Sequence, residues 1–423
     1  MRARCEGAHM TEAGVSEGHA PAQSPARIEA GTPEFRRTNI AVFFCGFAIF
    51  AVLYCPQPVL PLFAAEFGVT PAQSSIAVSV TAVVMAISML FASSISEAVG
   101  RKVMMLGSLI ASSALTLALW VAPSWDSIIW LRALSGLALS GAPAVTLAYL
   151  GEEMAPKAVP GAVGLYIGGS ALGGMSGRLA AAIVSDFGMD YGSWRLAMAG
   201  IGVCGLICAV FFWRLLPPSR HFTARELRFG GLSRSMLRLL ATPAIFLLVL
   251  AGFCLLGSFM TLYNYLGFRL QEPPFNLSPG IAGMVFLIYP VGSFGSAWLG
   301  ALAAKQGRGR VLMGCSLAML VGLAMMTPDS LPMIVAGLSL LTFSFFGAHA
   351  ICSGWAPAAA SADKAQASSL YLLLYYIGGG VAGSVGGTFW ASHRWDGVAL
   401  FSGSIMAGVL AVAVALSRTP QAR

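Results

Sequence analysis

The chain has 423 residues, of which 57% are hydrophobic and only 10% are charged. Because a soluble domain carries about 25% charged residues, this composition excludes an ordinary cytosolic protein. The formal net charge of +8 would suit nucleic acid, but the cations are spread between apolar stretches and do not form one patch. We therefore expect no nucleic-acid partner.

Twelve apolar stretches are long enough to cross a bilayer core of about 30 Å, which takes roughly twenty helical residues. They lie at about 40–63, 75–97, 103–122, 127–150, 161–185, 194–216, 241–266, 279–303, 310–327, 332–358, 366–390 and 397–417. We predict an all-α membrane protein with twelve transmembrane helices and the lipid bilayer as its surroundings.

Residues 1–38 are rich in Ala, Gly, Pro, Glu and Ser and have no apolar period, so they predict a disordered tail and not a signal peptide. With this tail in the cytoplasm, the cytoplasmic side carries about 20 of the 25 Lys and Arg residues. That excess follows the positive-inside rule. It predicts a bacterial inner-membrane protein with both termini cytoplasmic, the second as a short tail at 418–423.

The first stretch ends in a proline-rich segment, Y-C-P-Q-P-V-L-P at 54–61. Three prolines within six residues must break or kink the helix near its outer end, because proline lacks an amide hydrogen and clashes with the preceding turn. Gln57 lies among these prolines. Its amide and the freed backbone groups could therefore face a cavity.

The loop between the second and third stretches carries one acid, one glycine and two cations: Glu97, Gly100, Arg101 and Lys102. Two further acids, Glu152 and Glu153, end the fourth stretch. They could bridge to the loop cations and close a cytoplasmic gate, or they could form a solvated acidic loop. At an offset of 207 residues, the matching loop contains Gly307 and Arg308.

Glycine recurs at four-residue steps along the fifth stretch, at Gly164, Gly168, Gly169, Gly173, Gly174 and Gly177. In a soluble helix each would cost about 1 kcal/mol against alanine. In lipid, small residues let two helices approach closely, so the pattern predicts a helix-packing surface. The row ends on Arg178, which still lies within the apolar region. Asp186 could neutralise the charge of Arg178.

The glycine row has a copy, because the spacing at 166–177 recurs at 376–387, an offset of 210 residues. Two further matches, at offsets of 206 and 207, pair 141–144 with 347–350 and Gln57 with Asn264. Repeated offsets indicate a duplicated six-helix unit. We interpret the two glycine rows as the surfaces along which the two units move.

The duplication divides the chain into two six-helix bundles. The first occupies 39–216 and the second 240–417, and a basic cytoplasmic linker at 217–239 joins them. The linker contains no apolar stretch long enough to span a membrane.

Polar groups inside the apolar stretches are the candidates for function, because placing them in lipid is costly. At about 1.5 Å per helical residue, four of them fall near the outer third of the membrane: Gln57, Arg132, Arg178 and Asn264. We predict that they form one polar cluster for substrate binding or coupling. For either arginine, the alternative is a structural tie or contact with outer headgroups.

His349 is the only histidine within an apolar stretch. It could exchange a proton near neutral pH and couple transport, or it could be a hydrogen-bonded core histidine. No Asp or Glu lies in the middle of a stretch, so the buried arginines favour a neutral or anionic substrate. No nucleophile–base pair, metal-ligand spacing or phosphate loop occurs, and we expect no enzyme activity, no metal and no other cofactor.

Two six-helix halves joined by a basic linker resemble the major facilitator superfamily over 40–417. The loop S-x-x-x-E-A-x-G-R-K at 93–102 is similar to the family signature G-x-x-x-D-R-x-G-R-K/R, although Ala98 lacks the signature's first arginine. The segment R-x-x-S-G at 132–136 resembles the family's intramembrane-arginine motif. The segment G-S-A-L-G-G at 169–174 resembles the span-five motif of exporters, with serine in place of proline.

The wider pattern is similar to bacterial inner-membrane exporters of the arabinose-efflux-permease type. This resemblance implies export of a small molecule by alternating access, driven by the proton gradient. The alternative is a proton-coupled importer of a small organic anion, with Arg132 as the substrate ligand. In either case we expect a monomer.

Overall fold

The computed structural model describes four parts of the chain: 27–187, 193–222, 232–360 and 363–418. Within them the regular secondary structure is helical apart from one isolated bridge, and eleven segments are long and apolar enough to cross a membrane. The longest, Lys364–Ser417, has non-helical geometry at His393 and Arg394, which divides it into two crossings. The predicted fold of twelve transmembrane helices is confirmed.

The helices follow the predicted stretches. Those of the first half are α1 (Pro33–Tyr54), α2 (Pro71–Val99), α3 (Arg101–Ala118), α4 (Trp125–Leu139, continued as Pro143–Glu153), α5 (Val159–Asp186) and α6 (Ser193–Leu215). Those of the second half are α7 (Pro243–Gln271), α8 (Pro279–Gln306), α9 (Arg308–Met325), α10 (Leu331–Ala359), and α11 and α12, which precede and follow the break in Lys364–Ser417. A short helix, Leu232–Leu240, lies in the linker.

Side chains that accept hydrogen bonds from the first turn set several helix starts. Thr32 Oγ1 accepts from the Phe35 amide at 3.2 Å, and Thr70 forms a reciprocal capping box with Gln73. Proline follows each threonine, where the missing amide hydrogen costs nothing. These sequence signals fix where α1 and α2 begin.

The prolines break the first span as expected. α1 ends at Tyr54, and the chain continues as a 3-10 turn, Gln57–Val59, and a short helix, Leu60–Phe67. Gly68 then turns the chain towards α2 with a left-handed φ of 63°. The break places Gln57 in a buried stretch of interrupted helix.

The segment before α1 is ordered, unlike the disordered tail predicted for 1–38. The Ile28 amide donates to the Glu153 carbonyl at 2.8 Å, and the Ala155 amide donates to the Ile28 carbonyl at 3.0 Å. α1 then begins inside the predicted tail. The correction arises because the backbone after α4 supplies hydrogen-bond partners that local composition does not reveal. The rest of the predicted tails, 1–26 and 419–423, lies outside the described residues.

The glycine row of α5 packs against α1 of its own half. A Cβ at Gly169 or Gly173 would collide with the backbone of α1, and one at Gly177 would lie 2.7 Å from the Ala51 Cα. Gly174 faces Arg178, whereas an added Cβ at Gly164 or Gly168 would meet nothing within 4 Å. The packing surface is therefore narrower than predicted.

The interpretation of both rows as surfaces between the halves is wrong for α5. In α11, Gly378 packs against Phe253 of its own half, whereas Gly380, Gly383 and Gly387 approach α2 of the other half. The periodicity identified a packing row, but the neighbour depends on how each helix is rotated in the bundle.

In the described ranges, hydrogen bonds between the halves all lie at the end where α1, α5 and α7 finish and α2 and α8 begin. They join Gln57 to Met260 and Asn264, Tyr265 to Ser75, Ser384 to Ser79, and Ser278 to Asp186. We call this the sealed end, and the opposite end, where the linker leaves α6, the linker end. No hydrogen bond or ion pair among the described residues joins the two halves at the linker end.

Substituting Gly173→Val tests the packing of α5 on α1. The new side chain would meet the Phe47 backbone, which cannot move aside as a flexible side chain could. We expect a loss of about 1–3 kcal/mol in stability, the usual cost of overpacking. Thermal unfolding of the purified protein measures it, with Gly168→Val as the control because that position faces open space. Equal melting temperatures for the two variants would contradict this packing.

Candidate functional site

Three of the four predicted outer residues form one hydrogen-bonded chain at the sealed end. Arg178 Nε donates to Gln57 Oε1 at 2.5 Å, and Gln57 Nε2 donates to Asn264 Oδ1 at 2.7 Å. Each of the three residues is only 1% exposed. Gln57 and Asn264 occupy equivalent positions of the duplicated unit, so the chain crosses between the halves where the two repeats meet.

Arg178 carries its charge without an ion-pair partner among the described residues. Its Nη1 donates to the Gly174 carbonyl at 2.8 Å, and its guanidinium carbon lies 4.0 Å from the Tyr54 ring centre and 4.8 Å from that of Tyr289. Within the described chain, neither Arg178 Nη2 nor the Tyr289 hydroxyl has a hydrogen-bond partner. Cation–π contacts are worth about 2 kcal/mol when desolvated. They offset only part of the several kcal/mol needed to bury a charge.

Asp186 does not neutralise this charge. Its Oδ2 accepts a hydrogen bond from Ser278 Oγ at 2.7 Å, and it forms no ion pair with Arg178. Asp186 therefore helps to close the sealed end, and the neutralisation suggested by the sequence is absent from this conformation of the described chain.

Arg132 lies outside the cluster, which corrects the prediction that all four residues meet. Its Nε donates to the Ala77 carbonyl at 3.0 Å, and its two terminal nitrogens donate to the carbonyls of Val52 and Leu53 at 3.0 and 2.6 Å. In a continuous helix the Val52 carbonyl would accept from residue 56, but that residue is Pro56 and has no amide hydrogen. Arg132 thus compensates for the proline break and ties α4 to α1 and α2.

His349 lies in α10, in the part of the helix nearer the linker end. Its Nδ1 is 3.0 Å from the Tyr371 hydroxyl, and its ring stacks on that of Tyr375 with 4.3 Å between centres. It is half-buried. Among the described residues it makes no hydrogen bond to the Gln57 cluster, so the two sets of candidates do not share one hydrogen-bonded network.

One of the predicted gate contacts forms at the linker end. Arg101 Nη2 is 2.8 Å from Glu152 Oε1 and 3.7 Å from Glu97 Oε1. These residues all belong to the first half, so this ion-pair set links α2, α3 and α4. It does not span the two halves in this conformation, and a gating role for it stays a prediction.

The remaining gate candidates have other partners. Glu153 Oε1 accepts from the His221 amide at 2.9 Å, and Lys102 Nζ donates to the Leu216 carbonyl at 2.5 Å. The first contact attaches the linker to the first half, and the second holds the last residue before the linker. They replace the predicted bridge from Glu153 to the loop cations, because the linker returns to the ends of α3 and α4.

The two matching loops have the same backbone conformation. Gly100 has φ and ψ of 99° and 141°, and Gly307 has 96° and 134°, values that only glycine adopts readily. Arg308 follows the second glycine and is exposed, lining a cleft between α8 and α10. The duplication therefore extends to the turns as well as the helices.

A small cavity of about 10 Å³, room for roughly one water molecule, lies between the halves beside the polar cluster. Its lining includes Tyr54, Ser79, Met260, Asn264, Gly379 and Gly380. Sequence reasoning missed Ser79, and it also missed Phe286 and Tyr289, which surround Arg178. The two aromatic residues are three positions apart in an apolar stretch, which is equally typical of ordinary packing, so the sequence held no signal for them.

Arg132→Ala tests the structural role of that side chain. It would leave the carbonyls of Val52, Leu53 and Ala77 without the arginine, and an unsatisfied buried acceptor costs about 1–3 kcal/mol. We expect a marked fall in melting temperature, partly recovered by Arg132→Lys. Ser135→Ala is the control, because Ser135 Oγ bonds only the Leu131 carbonyl one turn away. A stable Arg132→Ala variant that lost only transport would contradict this assignment.

Comparison with known proteins agrees with this architecture. The family model of the Major Facilitator Superfamily matches residues 42–383. The chain is 42% identical over 371 residues to the uncharacterized MFS-type transporter YybF of Bacillus subtilis, covering 88% of this chain and 91% of that protein. It is also 42% identical over 391 residues to the inner membrane transport protein YnfM of Escherichia coli, covering 92% and 93% of the two chains.

A solved structure shares the fold at low identity. A bacterial homologue of the human lysosomal transporter Spinster, in an inward-facing and unoccupied conformation, superposes with a TM-score of 0.73 at 16% identity, covering 92% of this chain and 97% of that chain. The chain is thus a multi-pass membrane transporter and not an enzyme. It belongs to the Major Facilitator Superfamily.

Proposed function

We propose that this transporter exports small neutral or anionic amphipathic molecules across a bacterial inner membrane by alternating access, driven by the proton gradient. The proposal combines the transporter fold with two features of this chain. These are the exporter-like motif of α5 and the uncompensated charge of Arg178 at the contact between the halves.

The orientation follows from charge. Loops at the linker end carry most of the Lys and Arg residues, and the positive-inside rule assigns such loops to the cytoplasm. Both termini are then cytoplasmic and the sealed end faces outwards. Since the hydrogen bonds between the halves all lie at the sealed end of the described chain, we interpret the conformation as inward-facing, the state in which an exporter takes up its substrate.

The environment of Arg178 is the observation that supports neutral or anionic molecules as the substrate class. Arginine stays protonated in proteins, so Arg178 gives the contact between the halves a permanent positive charge. No carboxylate among the described residues forms an ion pair with it. In a low dielectric this charge repels cations and attracts anions. A neutral substrate with hydrogen-bond acceptors is tolerated.

The sealed end is held by contacts that are weak enough to break and form again. Its hydrogen bonds between the halves are few, and a typical one contributes only about 0.5–1.5 kcal/mol net. Breaking them costs a few kcal/mol, which is the scale of an equilibrium between two populated conformations. Rocking of the two halves about the cavity beside Asn264 would therefore expose that cavity to the outside. Because one chain supplies both halves, we propose a monomer.

Transport in oriented vesicles tests the proposed function. Inside-out vesicles carrying the protein should accumulate members of a panel of aromatic carboxylates when a proton gradient is imposed, and an uncoupler should abolish accumulation. Accumulation only in right-side-out vesicles would indicate the importer. Accumulation that persists in the presence of the uncoupler would contradict proton coupling. An absence of flux for the whole panel would overturn the proposal that the protein exports such molecules.

The substitution Arg178→Gln tests whether the charge of Arg178 selects anionic substrates. Glutamine can still donate to Gln57, so the hydrogen-bonded chain is kept while the charge is lost. We expect transport of carboxylates to fall about tenfold or more, the scale of a lost charge-assisted hydrogen bond. Neutral analogues should be little affected, and Arg178→Lys should retain part of the anion transport. Equal losses for anions and neutral analogues would contradict a role in charge selection.

The substitution His349→Asn tests whether His349 couples transport to the proton gradient. Asparagine can bond the Tyr371 hydroxyl but cannot take up a proton near neutral pH. We expect gradient-driven accumulation to be lost while exchange of labelled for unlabelled substrate continues. Tyr371→Phe is the matched control, because it removes the same hydrogen bond and keeps the imidazole. If His349→Asn accumulates substrate as the unaltered protein does, His349 does not couple transport to the gradient.

A further inference from the structure

The turns that follow α2 and α8 are equivalent in the duplicated unit, but their charges differ. In the first half, Arg101 Nη2 lies 2.8 Å from Glu152 Oε1 and 3.7 Å from Glu97 Oε1. Its counterpart in the second half, at an offset of 207 residues, is Arg308. Each arginine is the first residue of the helix that follows the turn, so the two side chains begin from the same place in their halves.

The two acids have no counterpart in the second half. The offset of 207 residues aligns Glu97 with Ala304, and the offset of 206 that relates α4 to α10 aligns Glu152 with Ala358. Arg308 forms no ion pair and no side-chain hydrogen bond with another residue of the described ranges. The second half therefore keeps the cation of this turn and lacks both carboxylates that hold it in the first half.

Three more exposed cations lie near this arginine. Lys305 is in the last turn of α8, and Arg310 is in the first turn of α9. An added Cβ at Gly309 would lie 3.0 Å from Ser417 Cα, so the end of α12, with Arg418 next along the chain, reaches the same turn. No acid occurs in either sequence, at 273–328 or at 397–423. The turn is thus a basic cluster without an acid on its own segments.

A cleft opens beside Arg308 where the carboxylates are missing. It has a volume of about 180 Å³ and lies between α8 and α10 at the linker end. Since about 10–15 Å³ of such space holds one water molecule, the cleft has room for a much larger group. Apart from Arg308, the described residues that line it have no polar side chain: Gly300, Ala303, Ala304, Ala350, Ile351 and Gly354.

We infer that this cleft binds the phosphate of an anionic phospholipid from the leaflet at the linker end. The phosphate takes the place of the missing carboxylates against Arg308, and the glycerol and the first acyl carbons lie on the apolar lining. Basic pockets between transmembrane helices bind such headgroups. An inorganic phosphate ion would meet one cation in an otherwise apolar cleft, so the lining favours the lipid. The inference depends on neither the substrate nor the direction of transport.

Two substitutions test the site from both members of the charge pair. Ala304→Glu supplies a carboxylate four residues before Arg308, as in the equivalent turn of the first half, and should displace the lipid while the arginine stays in place. Arg308→Gln removes the charge. Both positions are exposed, so the protein should remain folded. Lys157→Gln is the control, because it removes one exposed cation at the linker end of the first half and leaves the cleft unchanged.

The experiment measures lipid binding to the purified full chain by native mass spectrometry and by thermal shift. The probes are dioleoyl phosphatidylglycerol, dioleoyl phosphatidylcholine and inorganic phosphate. We expect the unaltered protein and Lys157→Gln to prefer phosphatidylglycerol to phosphatidylcholine. Ala304→Glu and Arg308→Gln should bind phosphatidylglycerol about tenfold more weakly, the scale of a lost hydrogen bond to a charged group.

The outcomes separate a lipid site from general attraction to a basic surface. Equal binding of phosphatidylglycerol by the unaltered protein, Ala304→Glu and Arg308→Gln would overturn the inference, and so would a loss in Lys157→Gln as large as that in Arg308→Gln. Equal binding of the two lipids by the unaltered protein would contradict recognition of an anionic headgroup. Stabilisation by inorganic phosphate that equals that by the lipid would assign the cleft to a soluble anion and overturn the lipid as its occupant.

Discussion

The hydrogen bond between Gln57 and Asn264 is the contact on which the sealed end depends. These residues are equivalent positions of the duplicated unit, and they meet because prolines interrupt the helix around Gln57. Arg178 breaks the symmetry of the pair, since the copy of the α5 glycine row has Thr388 at the corresponding position. One unpaired charge thereby turns a symmetric contact into a directed one.

The two intramembrane arginines show how the number of hydrogen-bond acceptors around a buried cation affects its role. Arg132 meets three backbone carbonyls, some of them left available by the proline break, and its donors are used in holding α4 to α1 and α2. Arg178 meets one carbonyl and one amide and keeps an unpartnered nitrogen among aromatic rings. The same residue type uses its donors on the backbone where acceptors suffice, and it keeps an unpartnered donor where they fall short.

The glycine row of α5 contributes rigidity and not movement. Its close approach to α1 fixes the helix that carries Arg178 against the helix whose break carries Gln57, so both residues move with the first half. Asn264 moves with the second half. A rocking motion would therefore separate Gln57 from Asn264 and leave Arg178 with Gln57.

The sequence by itself determined the twelve spans, the two halves and the depth of each polar residue. A helix in lipid must satisfy its own backbone and needs about twenty apolar residues, both of which are local properties. Gln57, Arg178 and Asn264 were placed at one level for the same reason. Only the tertiary structure decided that Arg132 faces the break in α1, that the α5 glycines face their own half, and that Tyr289 covers Arg178. Depth follows from counting residues along one helix, whereas the rotation of a helix and the identity of its neighbours depend on the packing of all the others.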